Sequence, residues 1–262
     1  AFVKMSEYTP KFSALLEQTC AKYLGRDLVQ IVNGGPEVAA EFSRLPFDHI
    51  LFTGSTQVGK MVMRAAADNL VPVTLELGGK SPTIISETTA ANPGRLKNAV
   101  ARTISGKSIN AGQTCIAPDY LMVPEGSEEQ VLSAAREIVA KRFPQGVLSP
   151  DFTGIVSDRH MSRLQRLVDE AAEQGARVVN LMKTGDNPGR KFPLTFVFNA
   201  NPESGLMNEE IFGPVLPVIT YKRLEDALAY VNARPRPLAL YLFDDNAKTQ
   251  QMVLEQTIAG GV

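Results

Sequence analysis

The sequence of 262 residues has no tryptophan, only two cysteines and only two histidines. With so few thiols and imidazoles, neither a disulfide framework nor a Cys-and-His zinc site is expected. No apolar run approaches the roughly 18 residues of a membrane-spanning helix, so no membrane segment is expected. The 27 basic and 28 acidic residues are interspersed, which gives no sign of a nucleic-acid partner or an anionic membrane.

The two cysteines occupy different sequence contexts. Cys20 shares helical spacing with Leu16 and Leu24, whereas Cys115 is surrounded by small and polar residues. We therefore expect reduced thiols in a cytoplasmic protein, with Cys20 in a core. The 44% hydrophobic content is sufficient for two domains or one large one.

Short apolar runs alternate with amphipathic stretches, which is typical of an α/β fold. The pattern predicts helices at residues 9–23, 36–43 and 57–69, with strands at 28–32, 49–52 and 73–75. With right-handed crossovers, this order predicts the C-terminal part of a doubly wound nucleotide-binding domain at residues 1–79. A second α/β domain, which carries Cys115, is predicted at residues 80–262. Its predicted helices are 96–105, 128–142, 159–174 and 224–232, and its predicted strands are 81–85, 120–123, 193–198, 216–221 and 238–243.

Cys115 and Glu76 are the candidate catalytic residues. Cys115 ends the segment Gly-Gln-Thr-Cys, whose small residues leave the thiol accessible, and Glu76 lies just before two glycines. A thiolate can attack a carbonyl carbon, and a separate carboxylate can then activate water. The alternatives are a buried cysteine and a structural carboxylate bonded to backbone amides.

Residues 52–59 follow a predicted strand and open a predicted helix, where backbone N–H groups favour a phosphate. The candidate contacts are Thr53, Gly54, Ser55 and Gly59. Residues 54–60 also resemble a P-loop, but Met61 stands where a hydroxyl is needed to hold Mg²⁺. We therefore do not expect an NTPase, and an ordinary strand-to-helix turn is the alternative.

Two further polar segments are candidate ribose sites. Lys4 and Glu7 flank a predicted strand exit and could hydrogen-bond the two hydroxyls of a ribose. Glu7 would repel a 2′-phosphate, which favours NAD over NADP. Glu210 could accept a hydrogen bond from a ribose hydroxyl, and Phe212 could pack against a flat ring. The alternative for Lys4 and Glu7 is a pair of solvated charges. The alternative for the segment with Glu210 and Phe212 is a helix end followed by a Gly-Pro turn.

These segments occur in the order seen in the aldehyde dehydrogenase superfamily. Residues 4–10 resemble its ribose-binding segment, 52–59 its phosphate turn, 76–80 its glutamate signature, 112–115 its cysteine signature and 209–214 its nicotinamide-ribose segment. Residues 6–10 and 236–241 are similar to the class-3-like branch, and within it to the coniferyl aldehyde dehydrogenases.

The resemblance implies oxidation of an aldehyde, coniferyl or another aromatic or fatty aldehyde, to a carboxylic acid with NAD or NADP as acceptor. Cys115 would be the nucleophile, with its backbone N–H as half of the oxyanion hole, and Glu76 would be the base for thioester hydrolysis. A homo-oligomer such as a homodimer, and no metal, are also implied. The cofactor contacts that it implies are Lys4, Glu7, Thr53, Gly54, Ser55, Gly59, Leu77, Gly78, Glu210 and Phe212.

One part of the family pattern is absent. The family takes its other oxyanion donor from an asparagine in a Pro-Trp-Asn-type segment before the ribose motif, and this chain has no tryptophan. We therefore expect an interior piece of a longer enzyme, slow or inactive by itself. Two other readings stay open: an acylating semialdehyde dehydrogenase, which does not need the glutamate base, and a non-catalytic module or pseudoenzyme.

Overall fold

The computed structural model describes residues 1–186 and 188–262. They form two compact units, Ala1–Leu77 and Gly78–Val262. The predicted division after residue 79 lies two residues beyond this boundary.

The first unit alternates short parallel strands with helices. Its elements are β1 (Phe2–Lys4), α1 (Pro10–Tyr23), β2 (Gln30–Val32), α2 (Pro36–Phe42), β3 (Ile50–Gly54), α3 (Thr56–Ala67) and β4 (Val73–Leu77). Strand β1 pairs in parallel with β2, and β3 pairs in parallel with β4. A small core of Ile50, Val62, Ala66 and Val71 joins α3 to this second pair. Cys20 is buried on α1, as predicted.

Several predicted boundaries in this unit are wrong. Strand β3 continues through Gly54, and β4 continues through Leu77, so that Glu76 pairs opposite Thr53 inside the ladder. Thr53 and Gly54 therefore lie in a strand and not in the turn, because pairing with the neighbouring strand outweighs the weak β-propensity of glycine. Strand β2 begins only at Gln30, and α3 ends at Ala67, two residues before the predicted end.

The second unit is built on a six-stranded sheet. Its elements are β5 (Pro82–Ile85), α4 (Glu87–Ala90), α5 (Pro93–Ser108), β6 (Tyr120–Pro124), α6 (Glu128–Arg142), α7 (Asp158–Glu173), β7 (Arg177–Asn180), β8 (Thr195–Phe198), α8 (Gly205–Asn208), β9 (Val215–Tyr221), α9 (Leu224–Asn232), β10 (Tyr241–Phe243) and α10 (Ala247–Gln256). The strand order is β10-β5-β6-β9-β8-β7. The neighbouring strands are parallel except for β7, which runs antiparallel to β8.

Helices cover both faces of this sheet. Side chains alternate between the faces of a strand. On β6, Leu121 and Val123 join the core under α5, α6 and α7, whereas Tyr120 and Met122 join the core under α9 and α10. Parallel strands covered on both faces are apolar throughout, as the continuous apolar run of β6 shows.

Candidate active site

The segments that carry the candidate residues of the second unit all precede strands of the sheet. Gly78 lies before β5, Cys115 before β6 and Glu210 before β9. Since these strands are parallel neighbours, the preceding segments meet at the amino-terminal edge of the sheet. The N–H of Asp119 donates to the carbonyl of Ser81 at 2.8 Å and joins the first two segments.

The backbone before Cys115 has an uncommon conformation. After α5, the φ angles of Asn110, Ala111 and Gly112 are 49°, 53° and 72°, all left-handed. For alanine this conformation costs about 1–2 kcal/mol, and Ala111 is completely buried there. A Cβ at Gly112 would collide with the carbonyl oxygen of Gly213, so only glycine fits. Such strain persists where the surroundings determine the backbone.

The Gln113 side chain fixes the backbone at this point. Its Nε2 donates to the carbonyls of Asn110 at 2.9 Å and Gly154 at 3.1 Å. Its Oε1 accepts from the N–H of Val156 at 2.8 Å. The next residues form a turn in which Ala117 N–H donates to the carbonyl of Thr114 at 2.9 Å. Cys115 lies within this turn and is exposed, as predicted.

A network of buried charges holds the segment that carries Glu210. Lys80 forms an ion pair with Asp119 and donates to the carbonyls of Leu206 at 2.9 Å and Glu209 at 3.0 Å. Asp119 in turn accepts from the N–H of Ile211 at 2.8 Å. Hydrogen bonds to charged groups contribute more than neutral ones, about 1.5–3 kcal/mol each. The network therefore fixes both the cysteine segment and the Glu210 segment.

Arg163, on α7, completes the support of Glu210 from the other side. Its guanidinium donates to the carbonyl of Glu210 at 3.1 Å and also to that of Ile211. The following residue, Phe212, has a left-handed φ of 46°. The backbone from 209 to 211 is thus bonded by three side chains from separate segments, which fixes the backbone that carries Glu210.

The Glu210 carboxylate packs against the two glycines of the glutamate signature. A Cβ at Gly78 would collide with its carboxylate oxygens, and the backbone N–H of Gly79 donates to it. Burial raises the pKa of Glu210, and the Gly79 hydrogen bond opposes this effect. The predicted cofactor residues Gly78 and Glu210 therefore lie side by side.

Lys107 is an unusual residue near this network. Its side chain is completely buried, and its Nζ has no hydrogen-bond partner among the described residues. Burial lowers the pKa of Lys107 to about 8, although the carboxylates of Asp119 and Glu210 attract its charge. A cation without hydrogen bonds in such a place reduces stability.

Three of the candidate residues, Lys4, Glu7 and Glu76, lie in the first unit. Lys4 Nζ and Glu7 Oε2 are 3.5 Å apart, with side-chain exposures of 11% and 38%. The structure therefore brings these two candidate ribose ligands together at the end of β1. Glu76 is exposed near the end of β4, with its carboxylate accessible to solvent.

Ser55 caps helix α3. Its Oγ accepts from the N–H of Val58 at 3.3 Å, so the hydroxyl satisfies one of the free donors at the helix start. Gly59 lies against β4, where an added Cβ would lie 2.7 Å from a methyl of Leu77. Gly59 therefore lets α3 approach the strand closely. The remaining backbone donors of the first turn stay available to an anion.

Neither a metal centre nor a membrane span is found in the described part of the chain. Its His, Cys, Asp and Glu side chains form no group of three that could hold a metal ion. Its helices are all too short or too polar to cross a membrane.

Comparison with known proteins decides the family. The profile described as "Aldehyde dehydrogenase family" matches residues 1–262. The chain belongs to the aldehyde dehydrogenase family. It is 51% identical over 260 residues to a probable coniferyl aldehyde dehydrogenase of Pseudomonas aeruginosa, covering 99% of this chain and 53% of that protein. It is 41% identical over 263 residues to aldehyde dehydrogenase family 3 member A2 of Rattus norvegicus, covering 100% and 52%. The chain thus spans about half the length of the curated relatives it matches.

Solved aldehyde dehydrogenase structures share the fold. The substrate-bound AldH of Staphylococcus aureus superposes with a TM-score of 0.90 at 36% identity, covering 100% of this chain and 55% of that one. A betaine aldehyde dehydrogenase of the same species, in complex with NAD⁺, gives a TM-score of 0.87 at 25% identity, covering 100% and 52%. The predicted family, its class-3-like and coniferyl branch and the α/β fold are confirmed.

Sequence reasoning missed most of the residues that support this candidate site. Lys80 ends the glutamate signature at residues 76–80, and Asp119 lies shortly after Cys115. Their proximity to the two motifs could have indicated that they support the site. Lys107 and Arg163 lie on helices with ordinary amphipathic patterns. Nothing local distinguishes them from solvated charges, because their roles come from tertiary packing.

Proposed function

We propose that Cys115 is the nucleophile of an aldehyde dehydrogenase that oxidises its substrate to a carboxylic acid with a nicotinamide cofactor. The observation that carries the proposal is an exposed thiol on a turn fixed by Gln113, at the same sheet edge as the supported Glu210 carboxylate. A defined position for the nucleophile is what covalent catalysis requires.

The residues present fit a nicotinamide dinucleotide. The adjacent Lys4 and Glu7 offer a donor and an acceptor for the adenosine ribose. The start of α3, with Thr53, Gly54, Ser55 and Gly59 around it, offers backbone donors for the pyrophosphate. Glu210 offers a held carboxylate for the second ribose, with Leu77, Gly78 and Phe212 as further contacts of this proposal. The NAD⁺-complexed structure of the betaine aldehyde dehydrogenase supports the same cofactor class.

The preference for NAD over NADP follows from charge. Lys4 lies 3.5 Å from Glu7 and neutralises only part of its negative charge. The remaining negative field of Glu7 would repel a 2′-phosphate. A second negative charge within about 4 Å costs roughly 1 kcal/mol even in water. We therefore propose NAD as the preferred cofactor, with NADP as the weaker one.

Cys115 would carry out the first half of the reaction. Its thiolate forms a C–S bond to the aldehyde carbon, and the carbonyl electrons move to oxygen. The backbone N–H of Cys115 donates to this oxyanion. A bound nicotinamide would supply the acceptor for the hydride that leaves this carbon, and Cys115 would then hold the acyl group as a thioester.

Glu76 would carry out the second half. Its carboxylate removes a proton from water as the water attacks the thioester carbon. Collapse of this adduct breaks the C–S bond, releases the carboxylic acid and restores the Cys115 thiolate. The exposed position of Glu76 near the end of β4 allows such access to water.

The substrate class follows the relatives. Proteins named coniferyl aldehyde dehydrogenase are 51%, 46% and 43% identical to this chain. We therefore propose coniferyl aldehyde, or another aromatic or fatty aldehyde, as the substrate. A homodimer and a cytoplasmic location stay predictions.

The experiment compares Cys115 with Cys20 in a full-length protein that contains this chain. Cys115→Ser should reduce NADH formation from coniferyl aldehyde by at least about 10³-fold, because the hydroxyl is a far weaker nucleophile. The control, Cys20→Ala, changes a buried thiol of α1 and should keep turnover within about twofold. Turnover that survives in Cys115→Ser would contradict the proposed role.

A further inference from the structure

The turn that carries Cys115 is held from outside by a tyrosine. Tyr241 Oη donates to the carbonyl oxygen of Ile116 at 2.6 Å. Tyr241 begins strand β10 and pairs in register with Thr83 of β5. The position of the phenol is therefore set by the edge of the sheet and not by a loop.

The bonded carbonyl belongs to the peptide group that closes the turn. Ile116 C=O and Ala117 N–H are parts of one planar unit. Its N–H donates to Thr114 at 2.9 Å, and its C=O accepts from Tyr241. The phenol thus fixes the orientation of the single peptide whose rotation would open the turn around Cys115.

The protonation of the phenol suits this role. Burial, and secondly the negative charge of the Cys115 thiolate, raise the pKa of Tyr241 above its ordinary value. The hydroxyl therefore stays a donor when Cys115 is ionised. Tyr241 also lines, with Thr114 and Ile116, a cavity of about 790 Å³ beside the turn.

We propose that Tyr241 is a positioning residue for the Cys115 nucleophile, acting through the Ile116–Ala117 peptide. This inference rests on the proposed function for its kinetic consequence, but its effect on the thiol is independent of turnover. Without the phenolic hydroxyl, the peptide loses its outside anchor, and both the thiol and the Cys115 N–H lose their fixed direction. A misplacement of about 1 Å can cost up to about 10²-fold in rate.

The test compares Tyr241→Phe with Tyr221→Phe. Tyr221 makes a bond of the same kind, from its hydroxyl to the carbonyl of Ile85 at 2.6 Å, but in the core at the far end of β9. Each variant removes one hydroxyl that donates to a backbone carbonyl. The Tyr221 bond is buried, so its loss should affect stability, whereas only the Tyr241 bond reaches the turn that carries Cys115.

Single-turnover NADH formation should fall at least about tenfold in Tyr241→Phe, with the KM for NAD and the thermal midpoint little changed. Tyr221→Phe should lower the midpoint and leave NADH formation within about twofold. A Tyr241→Phe rate within about twofold of the parent, or an equal loss in both variants, would overturn the inference.

Labelling of Cys115 by iodoacetamide separates this inference from the proposed function. Measured by mass spectrometry, its rate constant should change at least about threefold in Tyr241→Phe and stay constant in Tyr221→Phe. Equal rates in all three proteins would refute the positioning role even if Cys115 is the nucleophile. A changed rate in a protein that never reduces NAD would retain the positioning role and refute the proposed function.

Discussion

Replacing Lys107 by methionine should stabilise the protein by an amount that depends on pH. Lys107 is completely buried and its Nζ has no hydrogen-bond partner in the described residues. Burial lowers its pKa from 10.5 to about 8. The difference between these values corresponds to roughly 3 kcal/mol, at about 1.4 kcal/mol per pKa unit. Methionine fills a similar volume without a charge, so most of this cost should disappear.

The sign of the pH dependence follows from proton binding. Below pH 8 the lysine is charged in both the folded and the unfolded state, and the full cost is present. Between pH 8 and 10.5 the unfolded state binds more protons, so the parent gains stability as the pH rises. The advantage of Lys107→Met should therefore be largest at neutral pH and should vanish toward the upper limit of this window.

Urea unfolding at about pH 7 and about pH 10 measures this difference. Lys97→Met is the matched control on the same helix, because Lys97 is 52% exposed and pairs with the 64% exposed Glu137. That variant should change the free energy of unfolding by less than about 1 kcal/mol at either pH. A Lys107→Met protein that is less stable than the parent, or whose advantage does not change with pH, would refute the reasoning.

Three further predictions concern the site. Glu76→Gln should keep a burst of NADH but slow the steady rate by about 10²-fold or more, as stopped-flow absorbance would record; an unchanged steady rate would remove the base assignment. Gly78→Ala should raise the KM for NAD at least about tenfold, since its Cβ would collide with the Glu210 carboxylate, and an unaltered KM would contradict this contact. Glu7→Gln should lower the KM for NADP relative to NAD about fivefold in initial-rate assays, through loss of one repulsive charge; a constant ratio would argue against it.

Helices whose first and last turns carry the expected charged residues could be predicted closely from the sequence. Helices α6 and α9 have the predicted bounds, Glu128–Arg142 and Leu224–Asn232. Acidic residues in the first turn of each, and basic residues in the last turn of α6, mark the ends. Strong periodicity and favourable end charges agree here with the tertiary structure.

Other elements could not be read from local pattern. Helix α5 begins at Pro93 and not at 96, because the Asn92 side chain accepts from the N–H groups of Gly94 and Arg95 at 3.0 Å. A Pro-Gly pair usually indicates a loop, and the capping interaction makes it a helix start. Strand β10 is also shorter than the predicted 238–243, and it begins only at Tyr241.

Four elements were missed altogether, and two of them, the helices α4 and α8, have only four residues each. The short edge strand β7 has only four residues and pairs with a single neighbour, β8. Helix α10 is largely polar and buries only Val253, so its apolar pattern is weak. Neither segment shows the periodicity from which strands and helices are predicted.

The candidate site also has parts that could be predicted from the sequence and parts that could not. The motifs around Cys115, Glu76 and Glu210 were visible because short glycine-rich segments carry them. The side chains that hold these segments in place, Lys80, Asp119 and Arg163, come from positions up to 129 residues apart in sequence. Such contacts exist only after the parallel strands have brought their amino ends together.

The most direct measurement is the identity of the residue that carries the acyl group. Glu76→Gln protein, mixed with NAD and coniferyl aldehyde and quenched with acid during the burst, should carry one acyl adduct, sensitive to hydroxylamine. Peptide mass spectrometry should place it on Cys115 and leave Cys20 unmodified. NADH formation without any adduct, or an adduct on another residue, would contradict the account.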